Sequence, residues 1–514
     1  MAAGSFAPGH LGELTRIVPF ELADAVLEET PGARERRLRL LPSRAGLYFL
    51  LAMCLFPQAG YLGVWGKLTA ALDGLGLAVP SPKALRDLRR RIGIAPVRRL
   101  FEILAGPLGQ PRTPGIMFGG YRTVSFDGCK SIKVPDTVKN RAWLGKQKAS
   151  NGETGYPALS LMTLAETGTR ALLGAVFGPG AEGETGQARE LLSLLDATML
   201  LLMDRGFDGG DFLAAVAATK ARFLVRLTAT RRLPVLRHLP DGSFTSLIGG
   251  VKVRVITAAV TVTCHDGTTY GGVYRVATTL LDHRAYPAQA LMALYHERWQ
   301  HEIAYLALRH TLLRGRVLRS ADPAGIEQEM WALLTVYQAL RTAVTDAVQA
   351  VPGTDPDRAS WQTAVETAQN LVTTARNITG PACDLTGDIG QDLRLVLRLL
   401  VAVGVAGIDH QARRDSRLMK LERCRLDARR IVVRHAAAPQ DHVAIGVTGR
   451  RRDARTAAFG HRHEMVGMRG RLDRIGRDAH AAVGTVLEAN RAGEAGGELA
   501  VDLALGGARA YRCP

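Results

Sequence analysis

The chain has 514 residues, of which 47% are hydrophobic and 22% are charged, ordinary values for a globular protein with a large core. Lys and Arg outnumber Asp and Glu and give a formal net charge of +18, which favours a polyanionic partner, most often nucleic acid. The six cysteines include no C-x-x-C pair, which excludes a zinc framework and a disulfide scaffold.

The predicted location follows from the same features. The first residues lack a basic start followed by an apolar run, so we expect no signal peptide. The longest early apolar run, residues 45–56, stops at Pro57 and is too short to span a membrane. With cysteines that we expect to be reduced, the chain is predicted to be cytoplasmic.

Residues 1–110 are predicted to form a helical N-terminal domain. Apolar residues recur at helical spacing in the segments 22–27, 43–56, 60–75 and 81–104. Ser81-Pro82 is a typical helix start, because proline suits the first helical position. The helix that it opens, PKALRDLRRRIGIAPVRRL, is strongly basic. This helix either contacts DNA or presents a solvated basic face.

After a linker rich in Gly and Pro, residues 115–345 alternate between strand and helix patterns. Strands are predicted at 121–127, 156–163, 170–177 and 198–203, and a helix at 187–195. This alternation predicts an α/β fold with a mixed sheet and helices on both faces. Residues from about 220 to 282 read as almost purely β and predict a β-rich insertion.

The last two segments differ from each other in pattern. Residues 346–440 are predicted to be a C-terminal helical region. Residues 441–514 form a basic, weakly patterned tail in which Gly, Ala and Arg are frequent. This tail is either an arm that binds DNA without sequence preference or a segment with no specific role.

Two aspartates follow strand patterns. Asp127 ends the predicted strand RTVSFD, and Asp204 directly follows the apolar run MLLLM. Each could simply turn the chain after a strand. However, ligands of α/β sheets collect beyond the carboxyl ends of strands, and crowded carboxylates stay ionised only around a cation. Both aspartates are therefore candidate metal ligands.

A third acid lies in the stretch LMALYHERWQHEIAYLALRHTLLR, residues 291–314, which we predict to be one helix because it lacks Pro and Gly. At about 100° per residue, four polar residues share an arc of roughly 60°: Tyr295, Arg298, Glu302 and Arg309. A carboxylate can hold a divalent cation, while guanidinium and phenol groups can bind phosphate oxygens. The alternative is an amphipathic helix with a charged solvent face.

This spacing resembles the Y-(2)-R-(3)-E-(6)-K signature of the insertion-element-four family of bacterial DDE transposases, with Arg309 in place of the final Lys. The resemblance extends to FDGCKSIKVPDTVKNRAWLG at 126–145, to DRGF at 204–207 and to residues 277–302. It covers most of the chain from about 10 to 345. Cys129 is a departure, since the family often has Thr there.

The resemblance implies a ribonuclease H-like core at 115–345 with a β insertion at about 220–282, and dependence on Mg²⁺, for which Mn²⁺ would substitute. It implies that Asp127, Asp204 and Glu302 form an acidic triad of metal ligands. Arg298 and Arg309 would then bind phosphates and Tyr295 would donate a hydrogen bond. Trp299 would either stack on a flipped base or lie in the core beneath the helix.

The implied activity is cut-and-paste DNA transposition. The chain would bind the terminal inverted repeats of its element, cleave and transfer DNA strands by a two-metal route, and work as a homodimer in a synaptic complex near the bacterial nucleoid. A nuclease of the same fold without strand transfer, and a DNA-binding protein derived from a transposase, stay open as alternatives.

Overall fold

The computed structural model describes residues 11–374, except for 13, 31–32, 34–38, 71–78, 150–151, 264–268 and 352–353, and also describes residues 430–435. All of these residues belong to one compact unit. The predicted tail at 441–514 and most of the predicted helical region at 346–440 lie outside the described residues.

The N-terminal region is helical, as predicted. Its five α-helices are α1 (Phe20–Glu28), α2 (Ser43–Leu55), α3 (Tyr61–Thr69), α4 (Pro82–Ile92) and α5 (Ala95–Leu104). The hydroxyl of Ser81 caps α4 by accepting a hydrogen bond from the Ala84 N–H, and Pro82 occupies the first helical position. α2 is buried along almost its whole length because nearly all of its residues are apolar.

Thirteen strands are described outside this region. They are β1 (Met117–Phe118), β2 (Tyr121–Lys133), β3 (Gln147–Ala149), β4 (Gly152–Thr154), β5 (Ala158–Glu166), β6 (Leu172–Gly178), β7 (Met199–Met203), β8 (Arg222–Arg226), β9 (Arg237–His238), β10 (Phe244–Ile248), β11 (Val251–Thr263), β12 (Thr269–Thr278) and β13 (Arg430–His435). β3 and β4 form a separate hairpin, and the other strands form one sheet.

The central strands of the sheet have the order β6-β5-β2-β7-β8. β2, β7 and β8 run parallel to one another, while β5 is antiparallel to both β2 and β6. When these five strands are renumbered 1 to 5 by their order along the chain, the order in the sheet is 3-2-1-4-5. Three of the strands are parallel, and β5 and β6 form an antiparallel hairpin at the edge. The predicted ribonuclease H-like core is therefore confirmed.

The predicted β insertion extends this sheet and is not a separate layer. β12 pairs antiparallel with β8, and the sheet then continues through β11 and β10 to β9. β13 pairs antiparallel with β11, with Val433 opposite Val260. The helical prediction is wrong for residues 430–435, whose β-branched run IVV suits a strand.

The remaining helices are α6 (Val138–Leu144), α7 (Gly183–Glu190), α8 (Gly210–Ala218), α9 (Ala288–His296), α10 (Trp299–Leu306), a π-helix (Ala307–Leu312), α11 (Pro323–Gln349) and α12 (Trp361–Thr374). The side chains of β7 are buried on both faces of the sheet, so helices must cover each face. Leu201 and Met203 pack in the cluster that contains α8, whereas Leu200 and Leu202 pack in the cluster that contains α9. A strand buried on both faces has a continuous apolar sequence, which is the MLLLM pattern.

The long helix α11 joins the N-terminal helices to the sheet. One hydrophobic cluster contains most of the buried side chains of α2, α5 and α11 together with Leu159 and Leu161 of β5. Among the described residues, the helices up to residue 104 therefore have no core of their own, and they share their packing with the catalytic region predicted at 115–345.

Arg89 of α4 forms hydrogen bonds and an ion pair with side chains of α11. Only 5% of this residue is exposed, although it lies in the basic segment that begins at Pro82, for which DNA contact was one of two predictions. Its guanidinium donates to the side chains of Gln328 at 3.1 Å, Tyr61 at 2.5 Å and Ser320 at 2.9 Å, and it lies 3.5 Å from the Glu329 carboxylate. Arg89 is therefore a structural residue, while Arg90 on the same helix points to solvent.

We predict that Arg89→Ala lowers the free energy of unfolding by about 3–5 kcal/mol, because it leaves the buried Glu329 carboxylate without its cation. Arg90→Ala is the matched control and should change stability by less than about 0.5 kcal/mol. Urea unfolding followed by tryptophan fluorescence measures both. Equal unfolding midpoints for the two variants would contradict this assignment.

Candidate active site

The register between two parallel strands relates two of the predicted acids. Ser125 of β2 lies opposite Leu202 of β7. Asp127 and Asp204 each follow this pair by two residues, at the same edge of the sheet. Asp127 does not end its strand as predicted, because β2 continues to Lys133 through its pairing with β5. The parallel pairing with β7, however, does stop at Ser125.

The helix predicted at 291–314 is divided into α9, α10 and the π-helix. Between α9 and α10, the backbone N–H groups of Glu297, Gln300 and His301 bond to carbonyls three residues earlier, at 2.9, 3.0 and 3.1 Å. This turn is tighter than an α-helix, and the π-helix after Leu306 is wider. A constant rotation of 100° per residue therefore does not hold, and the prediction of one continuous helix is wrong.

Arg298 lies between two of the acids. Its Nη1 is 3.5 Å from Oδ2 of Asp127 and 3.9 Å from Oε1 of Glu302. Only 6% of Arg298 is exposed, and its guanidinium also covers the ring of Trp299, 4.8 Å from the ring centroid. The structure thus gathers Asp127, Arg298 and Glu302 at one place.

The carboxylate of Asp127 is buried near a second acid, Glu302. Its Oδ1 accepts a hydrogen bond from the Gly128 N–H at 3.0 Å, but its Oδ2 is buried and accepts none. Burial and the neighbouring Glu302 carboxyl hold the pKa of Asp127 well above its usual range, while Arg298 acts in the opposite direction. A carboxylate in this setting is stabilised by any additional cation.

Tyr295 and Arg309 occupy different surroundings. Tyr295 is buried in the cluster beneath α9, with its ring edge-on to Tyr274 at 6.4 Å, and burial raises the pKa of its phenol to about 12. Arg298 and Asp204 also influence that pKa, so the phenol lies near the site. Arg309 instead donates a hydrogen bond to Ser131, towards the end of β2. The four residues of the predicted helix face are therefore divided between two places.

Sequence reasoning missed a buried polar network beneath Asp127. His301 is 1% exposed, and its Nδ1 and Nε2 lie 2.8 Å from the hydroxyl of Ser125 and 2.6 Å from that of Thr163. Tyr305 donates to the backbone carbonyl of Asp127 at 2.5 Å and lies 3.0 Å from Thr163. Burial lowers the pKa of His301 to about 3, so its ring is neutral. The network fixes β2 where it carries Asp127.

A signal for this network was present in the sequence. His301 and Tyr305 are four residues apart and lie on the same helix as Glu302, so their side chains share a face. Ser125 and Thr163 are hydroxyl residues within otherwise apolar strands. Buried hydroxyl groups in such strands need polar partners, and the polar face of the helix offers them.

The donor set suits a divalent cation in chemical type. Carboxylate oxygens are the ligands that Mg²⁺ prefers, and the buried Oδ2 of Asp127 has no hydrogen-bond donor. Within the part of the chain that the structure describes, no three His, Cys, Asp or Glu side chains are gathered closely enough to hold a metal ion. Arg298 supplies the positive charge between Asp127 and Glu302 in this arrangement.

Comparisons with known proteins find similarity to transposases. The family described as insertion element 4 transposase N-terminal matches residues 8–102, and the family described as transposase DDE domain matches residues 119–339. The chain is 27% identical to the transposase InsG for insertion sequence element IS4 of Escherichia coli strain K12. That similarity extends over 349 residues, 66% of this chain and 78% of the relative.

Among solved structures, the chain is similar to a piggyBac transposase synaptic complex with hairpin DNA, determined by cryo-electron microscopy. The TM-score is 0.36 at 11% identity, over 77% of this chain and 83% of the other. None of the helices described for this chain is long and apolar enough to cross a membrane.

We predict that Tyr305→Phe lowers the free energy of unfolding by about 1–3 kcal/mol, because the Asp127 carbonyl and the Thr163 hydroxyl lose a buried partner. Tyr156→Phe removes the same hydroxyl from an exposed tyrosine and should leave stability nearly unchanged. Thermal unfolding of the two variants, followed by circular dichroism, provides the comparison. If Tyr305→Phe melted at the wild-type temperature, the network would not support β2.

Proposed function

The chain belongs to the insertion-element-four family of DDE transposases, and from this premise we propose that it moves its own element by cut-and-paste transposition. It binds the terminal inverted repeats, hydrolyses a DNA strand to expose a 3′-hydroxyl, and transfers that end to target DNA. The observation that supports the proposal is the register of β2 against β7, in which Ser125 lies opposite Leu202 and each aspartate follows by two residues. Glu302 completes the acidic set from α10, across Arg298.

Asp127, Asp204 and Glu302 are the proposed metal ligands. Enzymes with a DDE domain use divalent metal ions, and we propose Mg²⁺, for which Mn²⁺ substitutes. When bound, the metal would activate the attacking oxygen and stabilise the leaving oxygen. The Tyr305 hydroxyl and the neutral His301 ring hold the Asp127 backbone in place, so the carboxylates are positioned before DNA arrives.

Arg298 and Arg309 are the proposed phosphate contacts. The Nε–H group of each is buried and has no acceptor, and guanidinium donors without acceptors suit phosphate oxygens. Arg298 stands at the acids and would bind the phosphate at the cleaved bond. Arg309, beside Ser131, would bind a phosphate farther along the same strand. The guanidinium of Arg309 can bind a phosphate through two parallel hydrogen bonds, whereas the Lys of the family signature offers a point charge.

Tyr295 and Trp299 complete the proposed DNA contacts. The Tyr295 phenol is protonated at neutral pH, since burial raises its pKa to about 12, and it can therefore donate a hydrogen bond near Arg298. Trp299 is partly exposed and already stacks with the Arg298 guanidinium. A flipped base could use the same aromatic ring, because stacking accepts any base.

We predict that Glu302→Gln abolishes Mg²⁺-dependent cleavage of a plasmid carrying the DNA that flanks the gene, because it removes a proposed metal ligand. DNA binding should stay nearly intact in a gel-shift assay. Asp211→Asn, an exposed acid in the first turn of α8, is the matched control and should cleave as wild type does. Removal of the metal with EDTA should stop wild-type cleavage.

The products of the same assay distinguish the alternatives. Excised element with joined target DNA supports the transposase. Cleavage without a strand-transfer product would point to a nuclease of the same fold. Binding without any cleavage by the wild type would point to a DNA-binding protein derived from a transposase, and cleavage by Glu302→Gln would remove Glu302 from the proposed ligands.

We also predict a homodimer on paired DNA ends, because both ends of an element must be held together for excision. Light scattering of the protein with a short duplex carrying one terminal repeat should give a mass of two chains and two duplexes. The protein without DNA is the reference sample. A single chain on a single duplex at all concentrations would contradict the synaptic dimer.

A further inference from the structure

We propose that Glu184 is a fourth carboxylate of this active site and raises its affinity for a divalent cation; the inference rests on the proposed function. Glu184 lies in the first turn of α7, which follows β6 in the chain. None of the motifs in the sequence pointed to it, because it is far in sequence from the three predicted acids. The fold returns it to the edge of the sheet where Asp127 and Asp204 stand.

Two glycines beside the aspartates show where the Glu184 carboxylate lies. A Cβ on Gly128 would stand 2.9 Å from Cδ and 3.2 Å from Oε1 of Glu184. A Cβ on Gly206 would stand 3.0 Å from Oδ1 of Asp204 and 3.9 Å from Oε2 of Glu184. The same carboxylate thus adjoins the residue after Asp127 and shares the space beside Gly206 with Asp204.

The backbone gives no other reason for glycine at these two positions. Neither Gly128 nor Gly206 is among the described glycines with a positive φ, so their backbone conformations are open to other residues. At Gly128 a Cβ would stand 2.8 Å from Cγ of Glu184, too short for two carbon atoms, so the Glu184 side chain would have to move. Glycine there makes room for an acid beside the site.

The charges around Glu184 leave it free to bind a cation. Its partner in the structure is Lys130, whose Nζ is 3.8 Å from Oε1, and the two side chains are 54% and 40% exposed. An exposed pair at this distance contributes little to stability, so a divalent cation can replace the lysine at low cost. The buried Oδ2 of Asp127, which accepts no hydrogen bond and lies 3.5 Å from Nη1 of its ion-pair partner Arg298, is a second sign that a further cation would be stabilised here. In the structural alternative, Glu184 only complements the positive N-terminal end of α7.

The test is Mn²⁺ binding to the full-length, metal-free protein without DNA, measured from the electron paramagnetic resonance signal of free Mn²⁺. Glu184→Gln should weaken binding about tenfold, the lower end of what loss of a supporting ligand costs a metal site. Glu190→Gln changes an exposed acid at the other end of the same helix and should bind as wild type does. Asp127→Asn is the reference for loss of a central ligand and should bind more weakly still.

The outcomes separate this inference from the proposed function. Weaker binding by Glu184→Gln, with Glu190→Gln unchanged, supports the fourth carboxylate. Wild-type binding by Glu184→Gln, with Asp127→Asn weakened, overturns it and leaves the proposed ligands in place. Wild-type binding by Asp127→Asn overturns the proposed ligand set itself. Melting temperatures with and without Mn²⁺ provide a second measurement, because a ligand of the folded state stabilises it in proportion to its affinity.

Discussion

The parallel pairing of β2 with β7 is the constraint on which the site depends. Ser125 lies opposite Leu202 in this pairing. Asp127 follows Ser125 by two residues, and Asp204 follows Leu202 by two residues. A slip of one residue would turn every side chain of β2 to the opposite face and separate the acids. The register is fixed by burial, because Val124 and Phe126 pack with Leu201 and Met203 on one side of the sheet. Packing of apolar residues therefore determines where the charges stand.

Charge balance is the second requirement. Asp127 is nearly buried, and an unpaired buried carboxylate is costly. Arg298 offsets part of that cost from α10, close to both Asp127 and Glu302, while Tyr305 and His301 hold the same helix against β2 and β5. The site thus carries more negative than positive charge, held in a fixed backbone frame. An arrangement of this kind favours a cation and a phosphate arriving together.

Much of the fold could be predicted from local patterns. The apolar run of β7 and the capped start of α4 depend on neighbouring residues, and the sequence predicts both correctly. What depends on distant contacts could not be read in this way. In the sequence Arg89 is one basic residue among several, and its structural role depends on Gln328 and Glu329 of the distant helix α11. β2 extends past Asp127 because β5 continues to pair with it. The division of the 291–314 helix likewise reflects packing of its faces against separate parts of the core.

The central claim is that Asp127 and Asp204 share a bound cation, and diffraction tests it most directly. Crystals of the protein with a duplex of its terminal repeat, grown with Mn²⁺, would be measured at a wavelength where manganese scatters anomalously. The account predicts a strong anomalous peak in contact with carboxylate oxygens of both aspartates. A peak elsewhere, or ordered aspartates with no peak at saturating Mn²⁺, would contradict it.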